Sequence, residues 1–131
     1  MTPEEFRTHG QAVVDWIAGY LANPEQFAVI PDVSPGDVRK QLPIESPVQG
    51  EGMSAILADF ERIVLPGTTH WNHPMFMAYF ANTGSAPGIL AEALIAALNV
   101  NAMLWRTRSA ATEPEHVTPH SVPQRPGLPQ P

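Results

Sequence analysis

The stretch "GILAEALIAAL", residues 88–98, constrains the fold more than any other, because Glu92 is its only charge and it is apolar on nearly every side. Ser85 and Pro87 mark the start of a helix there. A helix apolar all round must be buried on most sides, in a core or in a membrane. The apolar run from Ile89 to Leu98 is too short to cross a bilayer, which takes about 20 residues, and Asn99 and Asn101 interrupt its continuation. The pattern therefore predicts a packed core helix and no membrane partner. Each large aliphatic side chain buried contributes about 1.5 to 3 kcal/mol. Leaving Ile89, Leu90, Leu94, Ile95 and Leu98 wet would cost a large part of the roughly 5 to 15 kcal/mol that holds a domain together.

The rest of the chain offers limited cover. Its 131 residues, 44% apolar and 15% charged, are enough for one globular core. A first helix is signalled by Thr2, Pro3 and Glu5, a capping box with proline at the first helical position. Phe6, Val13, Val14, Ile17 and Leu21 recur on one face of it, and Asn23-Pro24 stops it. A second helix carries Met53, Ile56, Leu57, Phe60, Ile63 and Val64 on one face and ends at Pro66-Gly67. Between them, residues 24–52 hold five prolines and three glycines, a strap in which regular structure is not expected. Val29, Ile30, Val33, Val38 and Leu42 are its candidate anchoring residues. Two amphipathic helices and a strap do not wrap the third helix, so its missing cover is expected on another chain or on further sequence.

Six of the fifteen prolines fall in the last eighteen residues, and "PHSVPQRPGLPQP" lacks apolar periodicity, so this tail is expected to be disordered. Just before it, Thr112 and Glu115 form a second capping box whose helix is halted by Pro119, the pattern that a truncated or frame-shifted reading of a longer protein would leave. The net charge of -6 and the lack of any Lys/Arg cluster argue against a nucleic-acid partner. No cysteine is present, which removes disulfides, thiolate nucleophiles and cysteine-ligated zinc. The opening "MTPEEFRTHG" has neither the basic nor the apolar region of a secretory signal, so a cytoplasmic location is expected.

The connector "THWNHPMFMAYF", residues 69–80, is the chemically distinctive segment. Pro74 and the alternating rings predict an extended course. His70 and His73 have a spacing that can place two imidazoles on one metal, but no carboxylate lies between Thr68 and Asn82, and hydrogen-bonded structure is the better reading; no metal site is assigned. Ser85 lacks a nucleophile-elbow context and caps the third helix instead. Lys40, the only lysine, sits beside Arg39 in the polar strap as a solvated charge. Phe76 reads as core. Trp71, Tyr79 and Phe80 read equally as core or as the lining of a pocket, since rigid rings on irregular backbone can face a ligand.

Taken in order, "EEFRTHGQAVVDWIAGYL", "VIPDVSPGDVRKQLP", "THWNHPMFMAYF", "GILAEAL", "NVNAMLWRT" and "AATEPE" resemble the N-terminal part of the group II pyridoxal-phosphate-dependent amino-acid decarboxylases, aromatic-L-amino-acid branch, from Glu4 to Val117. The resemblance implies a mainly α segment: a helical flap over residues 1–85, the first helix of a fold type I (α/β) large domain over 86–117, and the proline-rich tail over 118–131. It implies a homodimer, the cofactor pyridoxal 5'-phosphate, and removal of the α-carboxylate of an L-amino acid to give an amine. Trp71, Tyr79 and Phe80 match positions bordering the substrate ring, and Asn101 and Met103 match positions reaching toward the partner's pocket.

Several positions depart from the family pattern: Ala81 and Asn82 follow Tyr79-Phe80 where proline and threonine are usual, Arg108-Ser109 replaces a Ser-Pro pair, and Pro114 replaces an apolar residue. Substrate preference therefore does not carry over. The family's Schiff-base lysine, pyridine-binding aspartate and stacking histidine have no match here, so no catalytic residue is assigned and the isolated chain is expected to be inactive. The alternative is a free-standing helical module that caps a full-length decarboxylase or another partner.

Overall fold

In a computed structural model of the chain, residues 1–45, 48–80, 82, 84–99, 110 and 113–114 are described. Among them the structure is helical with no strand. It divides into two compact units, Met1–Thr83 and Gly84–Pro131.

The first unit opens with α1 (Pro3–Ala22). Its start is set by the reciprocal capping box: the Glu5 backbone N–H donates to Thr2 Oγ1 at 3.2 Å, and the Thr2 N–H donates to Glu5 Oε2 at 2.7 Å. Two of the amides that a helix N-terminus leaves unpaired are thereby satisfied. Asn23 ends the helix, its N–H donating to the Gly19 carbonyl, and a 3-10 turn follows at Pro24–Gln26. The inward face differs from the aliphatic stripe: Val13, Ile17 and Leu21 are half-buried together with Trp16 and Tyr20, whereas Phe6 and Val14 are exposed.

The strap carries more regular structure than its composition suggests. Ser34–Asp37 is a β-turn closed by the Asp37 N–H on the Ser34 carbonyl at 3.1 Å, with Pro35 and Gly36 in the central positions. Gly36 has φ +97° and ψ -12°, the left-handed geometry that a type II turn requires there. The turn leads into a short helix, α2 (Asp37–Gln41), in which Lys40 Nζ pairs with Asp37 Oδ1 at 2.9 Å. Of the five expected anchoring residues only Val29 and Val38 are half-buried; Ile30, Val33 and Leu42 are exposed.

The second predicted helix is not uniform. It runs as α3 (Met53–Asp59), widens into a π-helical turn at Phe60–Val64 and tightens to a 3-10 turn at Leu65–Gly67. The widening, seen in the Leu65 N–H bonding back to the Phe60 carbonyl, rotates the later residues off the α-helical register. Ile63 is thereby buried while Val64, predicted on the same face, is exposed. Gly67 lies so close to α2 that a Cβ there would stand 2.9 Å from Val38 Cγ2.

In the second unit, α4 (Ala86–Leu98) begins where Ser85 Oγ accepts from the Gly88 N–H at 3.4 Å. It stops at Asn99, whose φ of +47° makes a left-handed cap. Leu90, Leu94, Ile95 and Leu98 are each more than half exposed, so the burial that this helix calls for is not met within the described residues. The capping box at Thr112 and the proline-rich tail lie outside the described residues.

Candidate functional site

An aromatic cluster joins α1 to the connector. Trp16 stacks on Tyr20 one turn later, with centroids 5.4 Å apart and planes 7° from parallel, and meets Phe60 edge-on at 5.0 Å. Phe27 contacts Tyr20 at 5.4 Å and stacks on the His70 ring at 4.7 Å. Such pairs add about 0.5 to 1.5 kcal/mol each beyond area burial. Sequence reasoning passed over Trp16, Tyr20 and Phe27, although two rings four residues apart on a helix are an available signal.

His70, 4% exposed, is the buried polar residue among those described, and its polar groups are used. Its N–H donates to the Val29 carbonyl at 3.1 Å, and its carbonyl accepts from the His73 N–H at 3.0 Å. Its Nδ1 lies 3.1 Å from the Tyr20 hydroxyl. Burial pushes the imidazole below the ordinary histidine range and the nearby His73 acts the same way, while a hydrogen bond from the ring to the Leu65 backbone pulls against them. A neutral ring that accepts from Tyr20 on Nδ1 and donates from its other nitrogen to Leu65 satisfies both bonds.

The connector is not extended. It folds as two successive turns, closed by the His73 N–H on the His70 carbonyl and the Phe76 N–H on the His73 carbonyl at 2.9 Å. Pro74 occupies the second position of the latter turn, where its fixed φ is favoured, which is why proline bends this segment instead of stretching it. The Met75 N–H donates to His73 Nδ1 at 2.9 Å. With both Nδ1 atoms engaged, the H-x-x-H pair is built into the turn, and among the described residues no group of three His, Cys, Asp or Glu is placed to hold a metal ion.

The turns set an aromatic surface. Phe76 is buried, as expected, and Trp71 lies against it at 4.7 Å. On Trp71 stacks Tyr79, 5.8 Å away and 16° from parallel. Trp71 is 44% exposed, Tyr79 88% and Phe80 92%. Tyr79 has φ +53°, a left-handed conformation that costs an L-residue about 1 to 2 kcal/mol. Of the five predicted pocket residues, then, Trp71 and Tyr79 are in contact and Phe80 is adjacent and exposed; Asn101 and Met103 lie outside the described residues.

A groove of about 660 Å³ separates α1 from α3, lined by His9, Val13, Trp16, Met53, Leu57 and Phe60 among others. Its lining is apolar apart from His9, Ser54 and Glu61, and no hydrogen bond or ion pair joins these three into an acid-base arrangement among the described residues.

Comparison with known proteins gives a consistent neighbourhood. The model of the pyridoxal-dependent decarboxylase conserved domain matches residues 35–130, a span that continues past Val117 into the proline-rich stretch. Phenylacetaldehyde synthase from Rosa hybrid cultivar is 42% identical over 117 residues, 89% of this chain and 23% of its own length. Aromatic-L-amino-acid decarboxylase from Cavia porcellus is likewise 42% identical over 117 residues, covering 89% of this chain and 24% of its own. The structure of Catharanthus roseus tryptophan decarboxylase in complex with L-tryptophan superposes with a TM-score of 0.87 at 36% identity, over 98% of this chain and 28% of that one. The chain spans about a quarter of the length of the relatives it matches.

Proposed function

We propose, from the premise that this chain belongs to the pyridoxal-dependent decarboxylase family, that it acts as the helical flap of an enzyme that removes the α-carboxylate of an aromatic L-amino acid to give an amine. Residues 1–85 form the flap and contribute contacts of a cytoplasmic homodimer, residues 86–117 begin the large domain, and residues 118–131 are a tail. Trp71, Tyr79 and Phe80 form one wall of the substrate pocket, to which Asn101 and Met103 add from across the dimer.

The observation that carries this reading is the stacked, solvent-facing Trp71–Tyr79 pair, with Tyr79 in a backbone conformation that folding alone does not favour. Flat, rigid rings offer an aromatic substrate contact area at little entropic cost. The relatives with aromatic amino-acid names support the substrate class.

When bound, pyridoxal phosphate supplies the electron sink for loss of carbon dioxide. The described residues do not form a site for it. Lys40 is tied to Asp37 with 75% of its side chain exposed, far from the desolvated setting a nucleophilic lysine requires. Ser85 is spent on capping α4. The chain's part in catalysis is accordingly to orient the substrate ring and exclude water from it.

The test is a chimera in which this chain replaces the matching segment of the Catharanthus roseus tryptophan decarboxylase. Amine release from L-tryptophan, with Trp71→Ala and Tyr79→Ala each raising KM about tenfold while the isolated chain releases none, supports the reading. Unchanged KM in both variants overturns the wall. A second product is worth assaying: the equally similar rose relative is named for an aldehyde, so phenylacetaldehyde from L-phenylalanine would place the chain with that branch.

A further inference from the structure

We propose that His70 is a positioning residue, a buried latch through which Tyr20 on α1 sets the geometry of the Trp71–Tyr79 wall. Five separate attachments meet in this one residue: its N–H to Val29 in the strap, its Nδ1 to the Tyr20 hydroxyl, its ring to the Leu65 backbone, its ring face on Phe27, and its carbonyl to the first connector turn. The next residue is Trp71. The same two turns that begin at the His70 carbonyl put Phe76 beneath Trp71, and Trp71 beneath Tyr79. Rotating or withdrawing His70 moves the start of the first turn and with it the indole that carries Tyr79.

The latch has a defined direction. Nδ1 can accept the Tyr20 proton only while it is unprotonated, and burial keeps the ring in that form. The other ionisable groups near it are few: His73 follows in the connector, and Asp15 on α1 and Glu61 in the π turn border the small hollow that Tyr20, Phe27 and Leu65 also line. Neither carboxylate is bonded to the ring; Asp15 accepts from Gln11 Nε2 at 2.9 Å. The Tyr20 hydroxyl on Nδ1 and the Leu65 backbone on the other ring nitrogen therefore fix the rotation of the imidazole together, and of the two only the Tyr20 hydroxyl is a side-chain group that substitution can remove. The proposal rests on reading Trp71 and Tyr79 as a ligand-facing wall, but its test needs no ligand.

The chain contains only two tyrosines, Tyr20 and Tyr79, so uniform 3-fluorotyrosine labelling yields two fluorine resonances, one at the latch and one at the wall. Trp71→Ala supplies the unstacked reference position for Tyr79. His70→Asn, which keeps an acceptor near the Nδ1 position, is expected to leave the Tyr79 resonance close to wild type. His70→Phe, which keeps the stack on Phe27 but offers no acceptor, is expected to move it most of the way to the Trp71→Ala position with helix content unchanged. Should His70→Phe fail to fold, Tyr20→Phe removes one oxygen and leaves Tyr79 as the only label; a shift in the same direction supports the latch. A Tyr79 resonance indifferent to Tyr20→Phe, or to both His70 variants, overturns it. Failure of L-tryptophan to perturb Tyr79 would count against the wall reading alone and leave this coupling standing.

Discussion

The Tyr20 hydroxyl and His70 Nδ1 are 3.1 Å apart across fifty positions of sequence, and this bond ties the first helix to the connector. A net contribution of about 0.5 to 1.5 kcal/mol is ordinary for such a bond, and stranding a buried acceptor costs about 1 to 3 kcal/mol. Tyr20→Phe should therefore lower the unfolding free energy by about 1 to 2 kcal/mol in urea titration, with an unchanged m-value.

The burial of His70 also sets a pH dependence, reinforced by the nearby His73. His70 in the folded chain has its pKa lowered from 6.5, so over that interval the unfolded chain binds more protons than the folded one and stability rises with pH. The contribution is complete above about 6.5, the ordinary histidine value, and is lost as pH falls through the lowered one. Urea midpoints measured from pH 8 down to pH 5 should decline for the wild type and decline less for His70→Asn. Parallel curves would remove His70 as the cause.

Tyr79 tests whether the wall is kept for folding or for use. Its left-handed backbone costs about 1 to 2 kcal/mol, and its stack on Trp71 returns about 0.5 to 1.5 kcal/mol. The two nearly cancel, so Tyr79→Gly should change stability by less than about 1 kcal/mol, whereas Phe76→Ala, which empties a buried site, should cost about 3 to 5 kcal/mol. A loss above about 2 kcal/mol in Tyr79→Gly would mark Tyr79 as a structural residue.

Gly67 and Val38 form a third measurable pair. A methyl group at position 67 would meet Val38 Cγ2 at 2.9 Å, so Gly67→Ala should destabilise by about 1 to 3 kcal/mol through overpacking. In a Val38→Ala background the clash is gone and the same substitution should be close to neutral. A double-mutant cycle with no coupling energy would show that the strap yields freely at this point.

What the sequence makes legible here is what is local. The Thr2–Glu5 capping box, the stop at Asn23 and the Ser85 cap each depend on residues within four positions of one another, and each stands where its pattern puts it. The buried place of Phe76 is also readable. The π turn at Phe60 is not, because it depends on how residues 60–64 settle against the rest of the unit, and periodicity assumes one helical register throughout. The turns of the connector escape for a different reason: Pro74 suits both extended and turn backbone, and the first turn closes on the carbonyl of His70, whose partners Tyr20 and Val29 lie forty or more positions away. Trp16 and Tyr20 are overshadowed by the aliphatic stripe beside them, although they supply the contacts that reach the site.

The uncovered helix gives the last prediction. Leu90, Leu94, Ile95 and Leu98 lie exposed on a helix whose only charge is Glu92. A contiguous apolar surface of this kind drives association. Burying four such side chains contributes about 1.5 to 3 kcal/mol each before the cost of association is subtracted. The isolated chain should therefore self-associate at micromolar concentration, and Leu94→Glu combined with Leu98→Lys should shift it toward the monomer in analytical ultracentrifugation. These substitutions are far in sequence from the Tyr20–His70 latch, so the Tyr79 fluorine resonance should stay where it was. Sedimentation of the wild type as a monomer would show that α4 is covered within its own chain, and would remove the main physical reason for seeking its cover elsewhere.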